Sequence, residues 1–251
     1  MRRLWGAIWM LAFLLASGRA TAADVTVAVA ANFAGPMRRI ADDFAKQTGH
    51  HASLSVGATG TFYAQVENGA PFEVFLAADE ATPKKLEENG LAVPGSRFVY
   101  ARGKLVLWSA KAGYVDGGGA VLKVGRFAHL AVANPKLAPY GAAAIEALGA
   151  LGVLDRLRPK LLYGESIAQT QQFVATANAE LGFVALSQVA GAGDPPSGSY
   201  WVVPQSLYAP IVQDAILLKK GAASDAARAL CDYLKSPAAK DVIRAYGYGV
   251  P

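Results

Sequence analysis

Short apolar runs alternate along most of the chain with amphipathic stretches of helical period. The runs at 25–30, 53–56, 74–77, 105–108, 130–133, 182–186 and 215–218 predict strands, being short, apolar and bounded by turn residues. Between them Met37, Ile40, Ala41 and Phe44 recur at helical spacing up to Gly49. Leu148 with Leu151, Phe173 with Ala177, and Leu230 with Leu234 repeat that spacing. Strand–helix alternation of this kind predicts an α/β fold of mostly parallel sheets flanked by helices, with ligands at the carboxyl ends of the strands. The segments 117–119 and 191–199 are rich in glycine, proline and serine and predict surface turns.

The first residues follow a different pattern. Met1-Arg2-Arg3 is basic, residues 4–15 are apolar and uncharged, and Ala20-Thr21-Ala22 offers a small-residue cleavage site. This is the pattern of a secretory signal peptide over 1–22, and its apolar stretch is too short to span a membrane. The predicted location is therefore the periplasm. Losing Arg2, Arg3 and Arg19 with the leader takes the formal charge from +5 to +2, which removes the case for a nucleic-acid partner. The single cysteine, Cys231, cannot form an internal disulfide. It shares a helical face with Ala227, Leu230 and Leu234, as a core thiol would.

Candidate chemistry lies at four strand-to-helix junctions. A helix N-terminus carries unpaired backbone N–H groups and the positive end of the helix dipole, so it attracts anions without a charged side chain. The first junction is Ala30-Ala31-Asn32-Phe33-Ala34-Gly35-Pro36, where the Asn32 amide either donates to an oxyanion or caps the helix. The second, 56–61, brings Thr59 and Thr61 hydroxyls beside Gly57 and Gly60. The third runs from Asn134 to Gly141 and sets Tyr140 near a first helical turn. The fourth, 163–168, leaves the N–H of Ile167 free to donate.

An enzymatic reading is weaker. Gly164-Glu165-Ser166-Ile167-Ala168 has the strand–turn–helix context of a nucleophile elbow. The α/β-hydrolase order requires a histidine after the serine, but His50, His51 and His129 all precede Ser166. No His, Cys, Asp and Glu grouping has metal-ligand spacing. An exported enzyme on a small acidic substrate would have to draw on Glu165, Asp79 and Ser166, and Glu165 is expected to point to solvent.

Several ordered segments carry a resemblance over the whole chain past the leader. They are Val27-Ala28-Val29-Ala30-Ala31-Asn32-Phe33, Gly57-Ala58-Thr59-Gly60-Thr61 and the stretch from Gly69 to Asp79. Asn134-Pro135 with Pro139-Tyr140-Gly141, and the ending from Tyr233 to Ala239 with Tyr246-Gly247, complete the set. Together they resemble the periplasmic molybdate-binding proteins, the receptor components of ABC-type molybdate importers. The resemblance implies a two-lobed periplasmic binding protein of type II with its ligand in the interlobe cleft. Lobe 1 would comprise 23–103 plus 211–251, and lobe 2 would be 104–210. It implies a ligand set of Asn32, Thr59, Tyr140 and Ile167, with Ala31 and Gly60 beside them. Metal would enter only as the molybdate or tungstate oxyanion, with no direct protein–metal bond, no cofactor and no catalysis. The partners implied are that oxyanion and a membrane permease, for a monomeric receptor. Ala185 stands where some members place a ligand tyrosine, and Tyr140 can supply that hydroxyl from the opposite side. Sulfate or phosphate is the nearest alternative ligand.

Overall fold

A computed structural model describes residues 22–191 and 197–251. The leader, apart from Ala22, and the middle of the 191–199 turn lie outside the described residues.

The strands form two five-stranded sheets. β1 (Asp24–Ala30), β2 (His51–Gly57), β3 (Val74–Leu76), β4 (Phe98–Gly103) and β10 (Ile211–Leu217) make the first, in the order β2-β1-β3-β10-β4. The second holds β5 (Leu105–Ser109), β6 (Leu130–Ala133), β7 (Leu161–Gly164), β8 (Leu181–Ala185) and β9 (Ser199–Val202), ordered β7-β6-β8-β5-β9. The chain thus leaves the first sheet after Gly103, enters the second at Leu105, and returns at Ile211. Each sheet with its helices forms one lobe.

The sheets are more mixed than the apolar pattern predicts. In the first, β1 pairs in parallel with β2 and β3, whereas β10 is antiparallel to β3 and β4. The second repeats this, with β6 parallel to β7 and β8, and β5 antiparallel to β8 and β9. The cause is the crossing. β5 and β10 each arrive from the other lobe, so they start at the cleft and run away from it, against strands whose carboxyl ends point toward it.

Strands β4, β7 and β9 were not legible as apolar runs. β4 carries Arg102, β7 is a half-exposed edge, and Ser199 and Val202 leave β9 only one fully buried side chain.

Among the described residues ten α-helices cover the sheets: α1 (Ala34–Thr48), α2 (Thr59–Glu67), α3 (Ala81–Glu88), α4 (Ala120–Val124), α5 (Pro139–Ala150), α6 (Leu154–Leu157), α7 (Ile167–Ala175), α8 (Leu186–Val189), α9 (Asp225–Leu234) and α10 (Pro237–Ala245). α1 buries Met37, Ile40 and Phe44 and stops at Gly49, whose φ of 76° is the left-handed conformation glycine adopts without steric cost. Phe173 lies on α7, but Ala177 lies beyond its end at φ 60°. α9 and α10 pack with α1 on β1, so the carboxyl-terminal helices rejoin the first lobe. The core of the second lobe reaches across the cleft to Ala30, Ala31 and Ala78, giving the lobes an apolar contact.

Cys231 lies on the buried face of α9, and burial pushes its thiol up to about 11. A thiol reagent at mildly alkaline pH is expected to leave the native protein unlabelled and to modify this one cysteine after denaturation. Labelling of the native protein would contradict the packing of α9.

Candidate functional site

Four helix N-termini meet at the cleft. β1 ends at Ala30 and passes directly into a 3₁₀ turn, Ala31–Phe33, that continues as α1. β2 ends at Gly57, and α2 starts two residues later with Thr59. Pro139 stands first in α5, where its missing N–H and fixed φ cost nothing, and Tyr140 follows. Ser166 caps α7 by accepting from the Gln169 N–H, which leaves Ile167 as the first residue of the helix.

These termini line one small cavity of about 10 Å³, walled by Ala30, Ala31, Asn32, Gly57, Ala58, Thr59, Ala78, Ala138, Pro139, Tyr140 and Ile167. No lining side chain is charged. N–H groups of a first helical turn have no intrahelical acceptor, so the backbone here is rich in free donors. On this scale the cavity is about that of a single water, and it excludes an organic anion.

The hydroxyls follow the same rule. Thr59 Oγ1 accepts the Ala78 N–H at 3.0 Å, which leaves its own proton to donate. Tyr140 Oη accepts from Gln213 Nε2 at 3.2 Å. Burial pushes Tyr140 and Tyr100 well above the usual phenol value. Tyr248 is pushed up to about 12 by burial, against the pull of Ser187, Asn32 and Tyr140. All three phenols therefore stay neutral.

Asn32 lines the cavity but has a different task from the one its amide suggests. Its Nδ2 donates to Gln213 Oε1 at 2.8 Å and to Tyr248 Oη at 3.0 Å. Its backbone carbonyl accepts from Tyr248 Oη at 2.7 Å and Ser187 Oγ at 2.9 Å. The side chain holds the loop, and the residue's remaining donor is its backbone N–H. Nor does Asn32 cap α1, because it sits inside the first turn.

Gly60 departs from the expected set. Its N–H donates across the cleft to the Leu137 carbonyl at 2.9 Å, and it lines a neighbouring, larger cleft rather than the small cavity. That cleft, about 640 Å³, shares Ala78, Ala138 and Pro139 with the small cavity and carries Asp79, Glu80, Lys84, Arg97, Lys136 and Glu146. Charges of both signs there favour neither anions nor cations. Ala185 is buried at the end of β8 and does not line the small cavity. Glu165 is exposed and outside both cavities. The Asp79 carboxylate accepts from the N–H and hydroxyl of Thr82.

Gln213, Tyr100, Ser187 and Tyr248 support the site but stood out little in the sequence. One signal was available, since Gln213 and Asp214 interrupt an otherwise apolar strand. Asp214 turns to an ion pair with Arg97, leaving Gln213 for the cleft.

The description of bacterial extracellular solute-binding proteins matches residues 25–249. The chain belongs to this family. Among solute-binding proteins it is 62% identical over 231 residues to the molybdate-binding protein ModA of Azotobacter vinelandii, covering 92% of each chain. It is 56% identical over 229 residues to ModA of Rhodobacter capsulatus, covering 91% of this chain and 89% of that one. A solved Azotobacter vinelandii periplasmic molybdate-binding protein superposes with a TM-score of 0.88 at 45% identity, over 90% of this chain and 99% of that one. The two-lobed type II architecture is the one this solute-binding family shares.

Gly103 occupies the first crossing between the lobes, against Tyr140. A Cβ there would lie 2.0 Å from Tyr140 Oη and 2.7 Å from Gln213 Nε2. Gly103→Ala is expected to displace the tyrosine and cost about 1–3 kcal/mol of stability, read by urea unfolding. An unchanged midpoint would mean that Tyr140 is not held at this crossing.

Proposed function

We propose that this protein is the periplasmic receptor of an ABC-type importer, and that it binds molybdate, and tungstate with it, in the small cavity. The observation that carries this reading is an uncharged wall on which four helix N-termini converge, with the Thr59 hydroxyl beside them. Each helix N-terminus contributes roughly half a positive charge, so four oppose about the two negative charges of a tetraoxo-dianion. Hydrogen bonds to a charged group are each worth about 1.5–3 kcal/mol net, enough together to replace the ion's hydration. The ligands in this reading are the backbone N–H groups of Ala31, Asn32 and Ile167, the Thr59 and Tyr140 hydroxyls, and the first-turn backbone beside them.

A donor-only wall suits molybdate, tungstate and sulfate, which carry no proton. Hydrogen phosphate needs an acceptor, and the helix N-termini offer it none. Sulfate is smaller, so this reading leaves its separation from molybdate to the fit of the donors around the ion.

The reading assigns 23–103 plus 211–251 to lobe 1 and 104–210 to lobe 2, hinged at the two crossings. The ion enters while the lobes stand apart, and closure forms the Gly60–Leu137 bond. Binding favours the closed form because both lobes supply donors. The closed receptor is then the form a membrane permease would recognise. A receptor rather than an enzyme is supported by the relatives, which are named as binding proteins.

Thermal unfolding with each of molybdate, tungstate, sulfate and phosphate tests the assignment. Ligand at about 100 times its dissociation constant adds about 2.7 kcal/mol, a rise of several degrees for a chain this size. A rise with molybdate and tungstate but not with sulfate or phosphate is expected, and no rise with any of the four would remove the oxyanion reading. Thr59→Val keeps the side-chain shape without the donor and is expected to weaken molybdate roughly 10- to 100-fold by calorimetric titration. Unaltered affinity would take Thr59 out of the ligand set.

A further inference from the structure

Pro36 leaves a gap in the loop that opens α1. In helical backbone the Asn32 carbonyl would accept from the N–H four residues on, and that residue is Pro36, which has none. Two side chains fill the gap. Tyr248 Oη lies 2.7 Å and Ser187 Oγ 2.9 Å from the Asn32 backbone oxygen, and the two hydroxyls are 2.8 Å apart. The buried Tyr248 ring packs edge-on against Phe33, with centroids 5.5 Å apart.

Both hydroxyls are carried by segments fastened to the first crossing between the sheets. Gly249 exchanges two backbone bonds with Arg102, at 2.8 and 3.0 Å, and the Leu186 N–H donates to the Lys104 carbonyl at 3.0 Å. Tyr248 packs in the core of the first sheet, whereas Ser187 follows β8 of the second. The Asn32 carbonyl is thus held from both lobes.

This carbonyl reaches the site through its peptide plane. Neither Ser187 nor Tyr248 lines the small cavity, so the Asn32 oxygen points away from it. The Asn32–Phe33 peptide is planar, and fixing its oxygen also fixes the Phe33 N–H, which closes the 3₁₀ turn onto Ala30. That turn leaves the N–H groups of Ala31 and Asn32 without an intrahelical acceptor, in two residues that line the cavity. Rotation of an unheld plane would break the turn and swing an oxygen toward the anion.

We propose that Ser187 and Tyr248 are positioning residues for the oxyanion. Their hydroxyls replace the N–H that Pro36 lacks and hold the Ala31–Phe33 turn in the conformation that presents its backbone donors. The inference rests on the receptor reading above.

Calorimetric titration of the full protein with molybdate tests this, using Ser187→Ala, Tyr248→Phe and Ser187→Thr, and Ser187→Ala combined with Pro36→Ala. Ser187→Ala and Tyr248→Phe are each expected to weaken molybdate about three- to tenfold. Ser187→Thr keeps the hydroxyl and is expected to bind like the unaltered protein. Pro36→Ala returns the missing N–H, so the loss from Ser187→Ala should shrink in that background. An equal loss with and without Pro36 would overturn the proposal. So would unchanged affinity in either single variant, even with a lower unfolding midpoint, because the hydroxyl would then serve stability alone. If Pro36→Ala fails to fold, Ser187→Thr decides: a loss matching that of Ser187→Ala would assign the effect to packing and overturn the proposal. Unaltered protein that binds no molybdate would overturn the receptor reading and this inference with it, whereas tight binding that ignores the hydroxyls would overturn the inference alone.

Discussion

A small cavity with no charged wall can hold a fully desolvated dianion only if every group facing it donates. That constraint shapes the cleft. Backbone N–H groups meet it wherever a helix begins, and four helices begin there. Hydroxyls meet it only when something else occupies their acceptor side. Ala78 does this for Thr59. The buried network behind the cavity is therefore part of the binding chemistry: it sets which way protons point, and polar groups left unpaired at that depth would be costly.

The same constraint explains why the lobes depend on each other. Strands β5 and β10 run against their neighbours because the chain crosses at the cleft, and those crossings place Gly103 and Gln213 beside Tyr140. Gly60 to Leu137 and Ser187 to Asn32 add further bonds from one lobe to the other. Each of these bonds spans the two lobes, so the buried network behind the cavity is shared between them. A receptor built this way senses its ion by shape and proton count, with little help from net charge.

Much of this was legible in the sequence. Apolar runs located seven strands, and helix starts with small or hydroxyl residues located all four junctions, because both depend on local patterns. Five of the six residues expected at the site line one cavity. What escaped depends on long-range geometry. Gly60 reads as a loop glycine able to approach a ligand, but its N–H meets Leu137 from the other lobe, a pairing across 77 positions that no local pattern encodes. Asn32 reads as a donor, but its protons go to Gln213 and Tyr248, which lie at the far end of the chain. Strands β4, β7 and β9 were missed because edge position or a charged residue broke their apolar pattern.

The central claim is that the anion sits at the four helix N-termini and meets donors alone. A high-resolution crystal structure of the molybdate complex tests it most directly. The account predicts the ion among Ala31, Asn32, Thr59, Tyr140 and Ile167, touched only by backbone N–H groups and by the hydroxyls of Thr59 and Tyr140. An ion seated instead in the larger cleft, against Lys84, Arg97 or Lys136, would contradict it.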